Sequence, residues 1–224
     1  MALQTNGGTD YYEDISSDFA SFPLSFCART RATSSLVGNQ SLFSFANAVD
    51  GSHLSLRSSG NSIAQIRHAN SVNGGNQVGT AQTMNAWGIL AGRFVGSASR
   101  AIADSGGVTN STGTVTGTFT PPDRLLIGCA TDTSGAKALF TPVIFNHLII
   151  WNTDLTDDEM LSITKYGCAP HLVRPANIIR MYNFLSLIDQ VSGHTLVPFN
   201  SPTGIITGDS GRTKWPRKTK QNQY

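Results

Sequence analysis

The sequence predicts an all-β sandwich of two antiparallel sheets with one short helix. Charged residues are only 13% of the 224 residues, while 22 glycines and 9 prolines supply turn and bulge positions. Short apolar alternations are separated by stretches of Ser, Thr, Asn and Gly, which is typical of a sandwich. Because no linker-like break divides the chain, we expect a single domain with extended terminal arms.

Alternating apolar stretches predict strands in the first part of the chain. They cover residues 22–29, 41–48, 53–57 and 62–68. Asp50-Gly51, between the second and third stretches, is a strong hairpin signal, because Asp-Gly suits the positive φ values of a type I′ turn. Residues 71–80 are rich in Gly and Asn and predict a loop.

The middle of the chain continues this pattern. Residues 85–95 predict a central strand whose glycines allow neighbouring strands to approach closely. Residues 100–104 lead into a turn at Asp104-Ser105-Gly106-Gly107, and residues 125–129 predict one more buried strand. Helical periodicity is not found in these stretches.

The most informative stretch runs from Phe140 to Gly167. It begins as a strand, in which simple alternation places Phe145, His147 and Trp151 on one face and Leu148 on the other. We expect Trp151 to be buried between the two sheets, packed with Phe145 or with Trp87.

A short helix is predicted to follow this strand. Thr156 is a suitable N-cap, and Glu159 three residues later completes a capping box. Asp157 and Asp158 lie in the first turn, where the helix dipole favours negative charge. Gly167 is placed to end the helix in a left-handed conformation.

These pieces together resemble a laminin-G-like (concanavalin A-like lectin/glucanase) domain. The Ala86-Trp87 strand, the strand and hairpin at residues 100–107, the strand at residues 125–128 and the final strand-plus-helix follow the family's order. The hairpin reads Asp104-Ser105-Gly106 where the family has Asp-Gly, and Pro142 stands near a position that is often glycine. The resemblance implies a concanavalin A-like jelly-roll sandwich.

The segment after the helix resembles the opening segment of the same family. An aromatic strand at residues 178–185 is followed by Asp189, Gly193 and Leu196, which fit an Asp-x-x-Gly-x-x-Leu motif loosely. Pro170 and Arg174-Pro175 at the join resemble laminin-G-like proteins of tailed bacteriophages, which are commonly virion proteins. We expect an acidic arm at residues 1–20, a sandwich at 21–206 in which 170–206 completes or extends a sheet, and a basic arm at 207–224.

Catalysis is not predicted. Glycoside hydrolases need two carboxylates about 5 to 9 Å apart, and no strand of the sequence carries such a pair. The dense acidic group at residues 154–159 belongs to the helix start, where capping explains it. The five histidines are scattered and none stands in a known nucleophile motif. We expect no catalytic residues and no enzyme activity.

No metal ligands or cofactor are predicted, although a calcium site remains an alternative. Asp50, Asp104 and Asp132 are the loop acids that could bind Ca²⁺, but turns alone explain the first two. Trp87 and Trp151 lie in predicted strands and are expected in the core instead of on a sugar-binding platform. Cys27, Cys129 and Cys168 share no metal-ligand spacing and are expected to be buried free thiols.

Charge is concentrated at the two ends of the chain. The predicted inter-subunit contacts are Arg212, Lys214, Trp215, Arg217, Lys218 and Lys220 in the basic arm and Asp10, Glu13, Asp14 and Asp18 in the acidic arm. Trp215 would anchor the basic arm in an apolar pocket of a neighbour. Five positive charges with one aromatic are a weak nucleic-acid footprint, so we expect no nucleic-acid partner.

The sequence therefore predicts a structural virion protein of a bacteriophage. A capsid decoration (cement) or minor head protein fits best, with other copies of itself and the major capsid protein as partners. It would be produced in the bacterial host cytoplasm and located in the virion, since neither a signal peptide nor a membrane segment is found. The alternative is a carbohydrate-binding lectin module, on a head or tail fibre, that recognises host-surface glycans.

Overall fold

The computed structural model describes residues 2–32, 39–49, 52–59, 63–69, 76–81, 86–96, 99–112, 120–132 and 134–206. Its strands are β1 (Ala2–Gln4), β2 (Tyr11–Ile15), β3 (Leu24–Ala32), β4 (Asn39–Ala46), β5 (His53–Ser59), β6 (Ile63–Ala69), β7 (Asn76–Ala81), β8 (Gly88–Phe94), β9 (Ser99–Ala103), β10 (Val108–Thr112), β11 (Arg124–Ile127), β12 (Ala130–Thr131), β13 (Lys137–Ala138), β14 (Val143–Trp151), β15 (Ile178–Tyr182), β16 (Val197–Phe199) and β17 (Gly204–Ile206). The helix α1 is Asp157–Thr164, and short 3-10 turns lie at Ser17–Phe19, Pro170–Leu172 and Pro175–Asn177.

The strands form two large antiparallel sheets. The first sheet has the order β10-β9-β8-β3-β14-β1-β17, and β15 pairs with the second half of β14. The second sheet has the order β16-β2-β11-β4-β5-β6-β7, and β12 with β13 forms a small hairpin. The predicted jelly-roll sandwich of two antiparallel sheets with one short helix is confirmed.

The main core lies between the two sheets and is rich in phenylalanine. Phe26 of the first sheet meets Phe43 of the second edge-to-face, with ring centroids 4.8 Å apart. A Cβ added to Gly92 would lie 2.5 Å from the Phe26 ring, so this position must be glycine for the ring to fit. The predicted close approach at the glycines of β8 is therefore realised at Gly92.

A β-bulge in β14 divides its side chains between two environments. The register with β3 shifts between Phe145 and His147. Phe145 and Leu148 consequently both face the main core, while His147 and Trp151 face the outer side of the first sheet. Simple alternation was therefore wrong, because one extra residue reverses the facing of everything after it.

The helix packs on the outer side of the first sheet. Its Met160 and Ile163 are buried against small side chains such as Ala91 and Ala101. Trp151 is fully buried in this second cluster, and its indole N–H donates a 2.8 Å hydrogen bond to the Val173 carbonyl. Burial of Trp151 is thus confirmed, but its predicted place between the sheets is wrong.

The helix termini follow the sequence prediction. Thr156 accepts a hydrogen bond from the Glu159 backbone N–H, and the Glu159 side chain accepts one from the Thr156 backbone N–H. Gly167 has φ +68°, the left-handed conformation expected just beyond a helix. No helix among the described residues is long and apolar enough to cross a membrane.

The first twenty residues do not form an acidic arm. β1 lies between β14 and β17 in the first sheet, and β2 lies between β16 and β11 in the second. Tyr12 of β2 is fully buried in the main core. The arm prediction is wrong here because the acidic side chains pair with other residues of the same chain. A run of acidic residues in the sequence therefore did not indicate that this segment forms a strand of the sandwich.

The segment after the helix contributes strands to both sheets. β15 and β17 join the first sheet, and β16 joins the second. Asp189 accepts hydrogen bonds from the Val191 and Ser192 backbone N–H groups, and Leu196 is buried in the main core. The segment's Asp, Gly and Leu thus shape a tight turn that brings β16 back to the sandwich.

Two smaller predictions are corrected. Residues 76–80, expected in a loop, belong to β7 and pair with β6, because backbone hydrogen bonds to a neighbour do not require apolar side chains. Cys27 and Cys129 are buried free thiols as expected, but Cys168 is exposed, because it follows the helix in a surface turn. The hairpin of β4 and β5 is confirmed, while Asp50-Gly51, between them in the sequence, lies outside the described residues.

Candidate functional site

The outer side of the first sheet is only partly covered by the helix. Along β3, Cys27 faces the helix cluster, whereas Arg29 and Arg31 on the same side lie beyond it. Both arginines make cation–π contacts with Trp87, which lies just before β8. The Arg29 guanidinium is 4.8 Å from the Trp87 ring centroid, and the Arg31 guanidinium is 5.6 Å from it. We call these three residues the arginine–tryptophan cluster.

The members of this cluster differ in exposure. Arg29 is only 6% exposed, while Arg31 and Trp87 are half-buried. Burial lowers the pKa of the Arg29 guanidinium. Trp87, expected in the core, belongs to none of the buried clusters. It lies at the surface because it precedes β8 and stacks on cations instead of entering the sandwich.

The β14 bulge places two further polar side chains beside the cluster. The Asn146 amide oxygen accepts a 3.3 Å hydrogen bond from Arg29 Nη1. The His147 ring nitrogen Nε2 lies 3.8 Å from the Cys27 sulfur. Burial, and next the positive charge of Arg29, lower the pKa of His147 to about 3. The imidazole is therefore neutral near pH 7.

A concavity of roughly 380 Å³ opens next to these residues, between β14, β15 and the Pro170–Leu172 turn. We call it the outer groove. Its lining comprises Asn146, His147, Ile149, Pro170, His171, Met181, Tyr182, Asn183 and Gln190.

The outer groove combines planar polar groups with an apolar floor. Asn146, Asn183 and Gln190 offer amides, and His171 offers an exposed imidazole. Within the described part of the chain, the His171 ring and the Gln190 amide make no hydrogen bond. Ile149 and Met181 supply the apolar surface. Such a site suits a small ligand with several hydroxyl groups and one apolar face.

The lining residues of the outer groove include no carboxylate. The acid pair that most glycoside hydrolases require is therefore not found at this site in the part of the chain that is described. The groove can bind and orient a ligand, but its amides and neutral imidazole offer no pair of carboxylates for acid–base or nucleophilic attack.

A second concavity, of roughly 240 Å³, lies along β2 and β16 of the second sheet. It is lined by Glu13, Asp14, Ile15, His194, Thr195, Val197 and Phe199. Its two carboxylates hold the fold together, because Glu13 pairs with Arg124 and Lys137, and Asp14 pairs with Arg180. This second concavity is thus the weaker candidate for a ligand site.

The acidic residues predicted as inter-subunit contacts lie mostly inside this chain's own fold. Asp14, 2% exposed, accepts hydrogen bonds from Arg180 and from the Tyr182 hydroxyl. Asp18 also accepts from Arg180, and this hydrogen bond lowers the pKa of Asp18. Glu13 is buried and Asp10 is half-buried. Asp14 and Glu13 are therefore not surfaces for a basic arm.

The basic-arm residues lie outside the described residues. These are Arg212, Lys214, Trp215, Arg217, Lys218 and Lys220. Their predicted contacts with another subunit stay a prediction.

The loop acids considered for calcium serve turns. Asp104 accepts hydrogen bonds from the Gly106 and Gly107 backbone N–H groups. Asp132 accepts from the backbone N–H of Ser134 and from that of Ala136. Across the ranges that the structure describes, no group of three or more His, Cys, Asp or Glu residues could hold a metal ion. Asp50 lies outside those ranges.

No model of a known protein family matches the sequence, and comparison with curated proteins finds no significant match. Solved structures do match the fold. The CBM40 of the Ruminococcus gnavus IT-sialidase, bound to α2,3-sialyllactose, aligns with a TM-score of 0.58 at 14% identity, over 73% of this chain and 98% of that chain.

Two further structures share the fold. The heptameric SAP-like pentraxin of Limulus polyphemus aligns with a TM-score of 0.57 at 12% identity, over 72% of this chain and 80% of that one. A protein of Bacteroides ovatus proposed to bind carbohydrate aligns with a TM-score of 0.54 at 11% identity, over 92% of this chain and 62% of that one. At these identities the likeness establishes a lectin-like β-sandwich fold.

Sequence reasoning missed the residues of the outer groove. Asn146 precedes His171, Asn183 and Gln190 by 25 positions or more, and it meets them because β15 pairs with β14. Arg29 and Arg31 were one available signal: the predicted strand ends at Arg29, and if it continued to Arg31 the two side chains would share a face.

Proposed function

We propose that this protein is a carbohydrate-binding module that holds a saccharide in the outer groove. The observation that carries the proposal is the grouping of amides and imidazoles around an apolar floor. A sugar presents hydroxyl groups around its rim and C–H groups on its faces, so it needs this combination of polar and apolar partners.

The dimensions of the groove agree with this ligand. A volume of roughly 380 Å³ falls at the lower end of the usual range of ligand pockets. Side-chain amides such as Asn183 and Gln190 both donate and accept hydrogen bonds, as neighbouring sugar hydroxyls do. The site therefore suits one or two sugar units.

Structural likeness supports the proposal without specifying a ligand. The Ruminococcus gnavus CBM40 carries sialyllactose, and the Bacteroides ovatus protein is proposed to bind carbohydrate. Since the groove lining has no carboxylate, the proposed role is binding without hydrolysis.

A glycan array followed by calorimetry tests this function. We expect the protein to bind at least one saccharide, and Asn183→Ala or Gln190→Ala to weaken that binding at least tenfold. Asn110→Ala is the matched control, because Asn110 is exposed on β10 at the far edge of the same sheet. Equal weakening by the control, or undiminished binding in both groove variants, would place the ligand elsewhere.

The virion role predicted from the sequence stays a prediction. None of the three likenesses reported above concerns a phage particle, and the acidic residues meant to receive the basic arm are used within the fold. Removing the residues after Asp209 and following incorporation into particles would test it.

A further inference from the structure

The polar groups that line the outer groove are mainly amides and imidazoles, and this composition restricts the class of saccharide that fits. We infer that the outer groove selects neutral sugars that carry an acetamido group, such as N-acetylhexosamines. This inference rests on the proposed function, because it assigns a ligand class to the same site.

Two paired strands supply the apolar floor of the groove. Ile149 of β14 and Met181 of β15 are directly opposite each other in the antiparallel pairing, so their side chains lie on the same face of the sheet. Ile149 is 3% exposed, and Met181 is half-buried against the same cluster. The accessible part of the floor is therefore mainly Met181, whose flexible thioether adapts to a small apolar group such as a methyl.

Asn183 lies beside this floor with a fixed amide. Its Oδ1 accepts a 3.0 Å hydrogen bond from the Leu185 backbone N–H. Because a backbone N–H can only donate, this bond identifies the amide oxygen and leaves the Nδ2 hydrogens for another acceptor. Nδ2 has no acceptor among the residues that the structure describes. Asn183 therefore offers the groove an oriented N–H donor.

Gln190 reaches the same groove from the connection between β15 and β16. Its backbone N–H donates a 3.0 Å hydrogen bond to the Met181 carbonyl, and the Met181 N–H donates to the Asp189 carboxylate. These bonds hold the backbone of Gln190 beside β15. Its exposed carboxamide has no hydrogen-bond partner in the described ranges, so its oxygen and its nitrogen are both available to a ligand.

An acetamido group matches these three side chains. Its carbonyl accepts a hydrogen bond, its N–H donates one, and its methyl is apolar. Asn183 Nδ2 can donate to the carbonyl, Gln190 Oε1 can accept from the N–H, and the methyl can pack on Met181. A sugar hydroxyl in the same place offers no apolar surface and leaves Met181 uncovered.

The charges at the groove favour a neutral ligand. The lining contains no Asp, Glu, Lys or Arg, and His147 is neutral near pH 7 because its pKa is lowered to about 3, first by burial. The free amine of a deacetylated sugar therefore finds no carboxylate in the lining, and an acidic sugar finds no Lys or Arg there. Removing an unpaired charge from water is unfavourable, so selection depends on hydrogen bonds and methyl packing.

Pairs of ligands in which an acetamido group replaces a hydroxyl provide the test. N,N′-diacetylchitobiose is compared with cellobiose, and N-acetylgalactosamine with galactose, by calorimetry at low and at high salt. We expect at least one acetamido sugar to bind tenfold or more tighter than its hydroxyl counterpart, and deacetylated chitobiose to bind no tighter than cellobiose. The preference should not change with salt, since no charged side chain takes part.

Variants then assign the preference to the groove. Asn183→Asp keeps the acceptor for the Leu185 N–H but removes the Nδ2 donor, and Met181→Gln makes the floor polar at nearly constant length. Each should reduce the acetamido-to-hydroxyl ratio to within threefold. Asn200→Asp makes the same change as Asn183→Asp at an exposed position after β16 and should leave the ratio unchanged. A wild-type ratio in either groove variant, with its fold intact by circular dichroism, would overturn the inference.

The outcomes separate this inference from the proposed function. If each hydroxyl sugar binds as tightly as its acetamido counterpart, or if the array finds only sugars without acetamido groups, the inference is overturned while the binding function stands. If no saccharide binds in either pair or on the array, both are overturned. The wild-type comparison needs no variant, so a destabilised Met181→Gln protein does not remove the test.

Discussion

Trp151 packs the first sheet against the helix, and it also forms a hydrogen bond with the segment that follows the helix. Its side chain is fully buried, and its indole N–H meets the Val173 carbonyl. We expect Trp151→Ala to lower the free energy of unfolding by roughly 3–5 kcal/mol, because it removes an aromatic side chain and leaves a cavity. Urea denaturation measures this loss.

The control for this prediction is Trp151→Phe. It retains much of the packing and loses chiefly the hydrogen bond, so the cost should be smaller, with about 1 kcal/mol assigned to that bond. A loss below about 1 kcal/mol in Trp151→Ala would contradict the placement of Trp151 beneath the helix.

His147 predicts a pH dependence of stability. Its folded pKa is lowered to about 3, mainly by burial, below the unfolded value of about 6.5. Between these values the unfolded chain binds a proton that the folded chain does not. Stability is therefore fully present above about pH 6.5 and is lost as pH falls toward 3, by up to about 1.4 kcal/mol per pH unit.

His147→Gln should remove this component. Unfolding free energies measured at steps between pH 4 and pH 7 should show a shallower slope in this variant than in the wild type. His171→Gln is the control, because His171 is exposed on the Pro170–Leu172 turn. Parallel curves for the wild type and His147→Gln would show that His147 can protonate without cost in the fold.

At the scale of elements, one buried ion pair fastens β15 to the N-terminal part of the chain. Arg180 of β15 and Asp14 of β2 are 1% and 2% exposed, and Arg180 Nε lies 2.7 Å from Asp14 Oδ2. The Arg180 guanidinium also lies 5.1 Å from the Phe19 ring centroid. This ion pair thus connects the first sheet, through β15, to the second sheet, through β2.

Breaking this pair from one side should be costly. Arg180→Met leaves Asp14 buried without its cation, and we expect a loss of roughly 3–5 kcal/mol. The double variant Arg180→Met with Asp14→Leu should be more stable than Arg180→Met alone, since no buried charge remains. A double-mutant cycle by urea denaturation measures the coupling, and purely additive effects would contradict it.

Local signals explain which elements could be predicted. The helix was found because Thr156 and Glu159 form a capping box within one turn, and Asp50-Gly51 marked the β4–β5 hairpin from two adjacent residues. The bulge in β14 could not be predicted, because one extra residue in a strand does not change the composition of the sequence. It nevertheless reverses the side of the sheet that His147 and Trp151 face.

At the scale of the whole molecule, the fold class could be predicted and the site could not. Alternation of apolar and polar residues with a period of two is a local property of a strand, and several such strands in succession predict a sandwich. The outer groove depends on the pairing of β14 with β15, which brings Asn146 close to Asn183 across 37 positions of the chain. The buried Asp14 likewise depends on Arg180, whereas a charge pattern alone assigned Asp14 to an arm that contacts another subunit.

The central claim is that the outer groove is the saccharide-binding surface, and chemical-shift mapping tests it most directly. ¹H–¹⁵N spectra would be recorded during titration with the saccharide that binds most tightly on the glycan array. We predict shifts in the backbone amide of His171 and in the side-chain amides of Asn183 and Gln190, which line the groove, with the second sheet unchanged. Shifts confined to the second concavity, around His194 and Phe199, would contradict the claim.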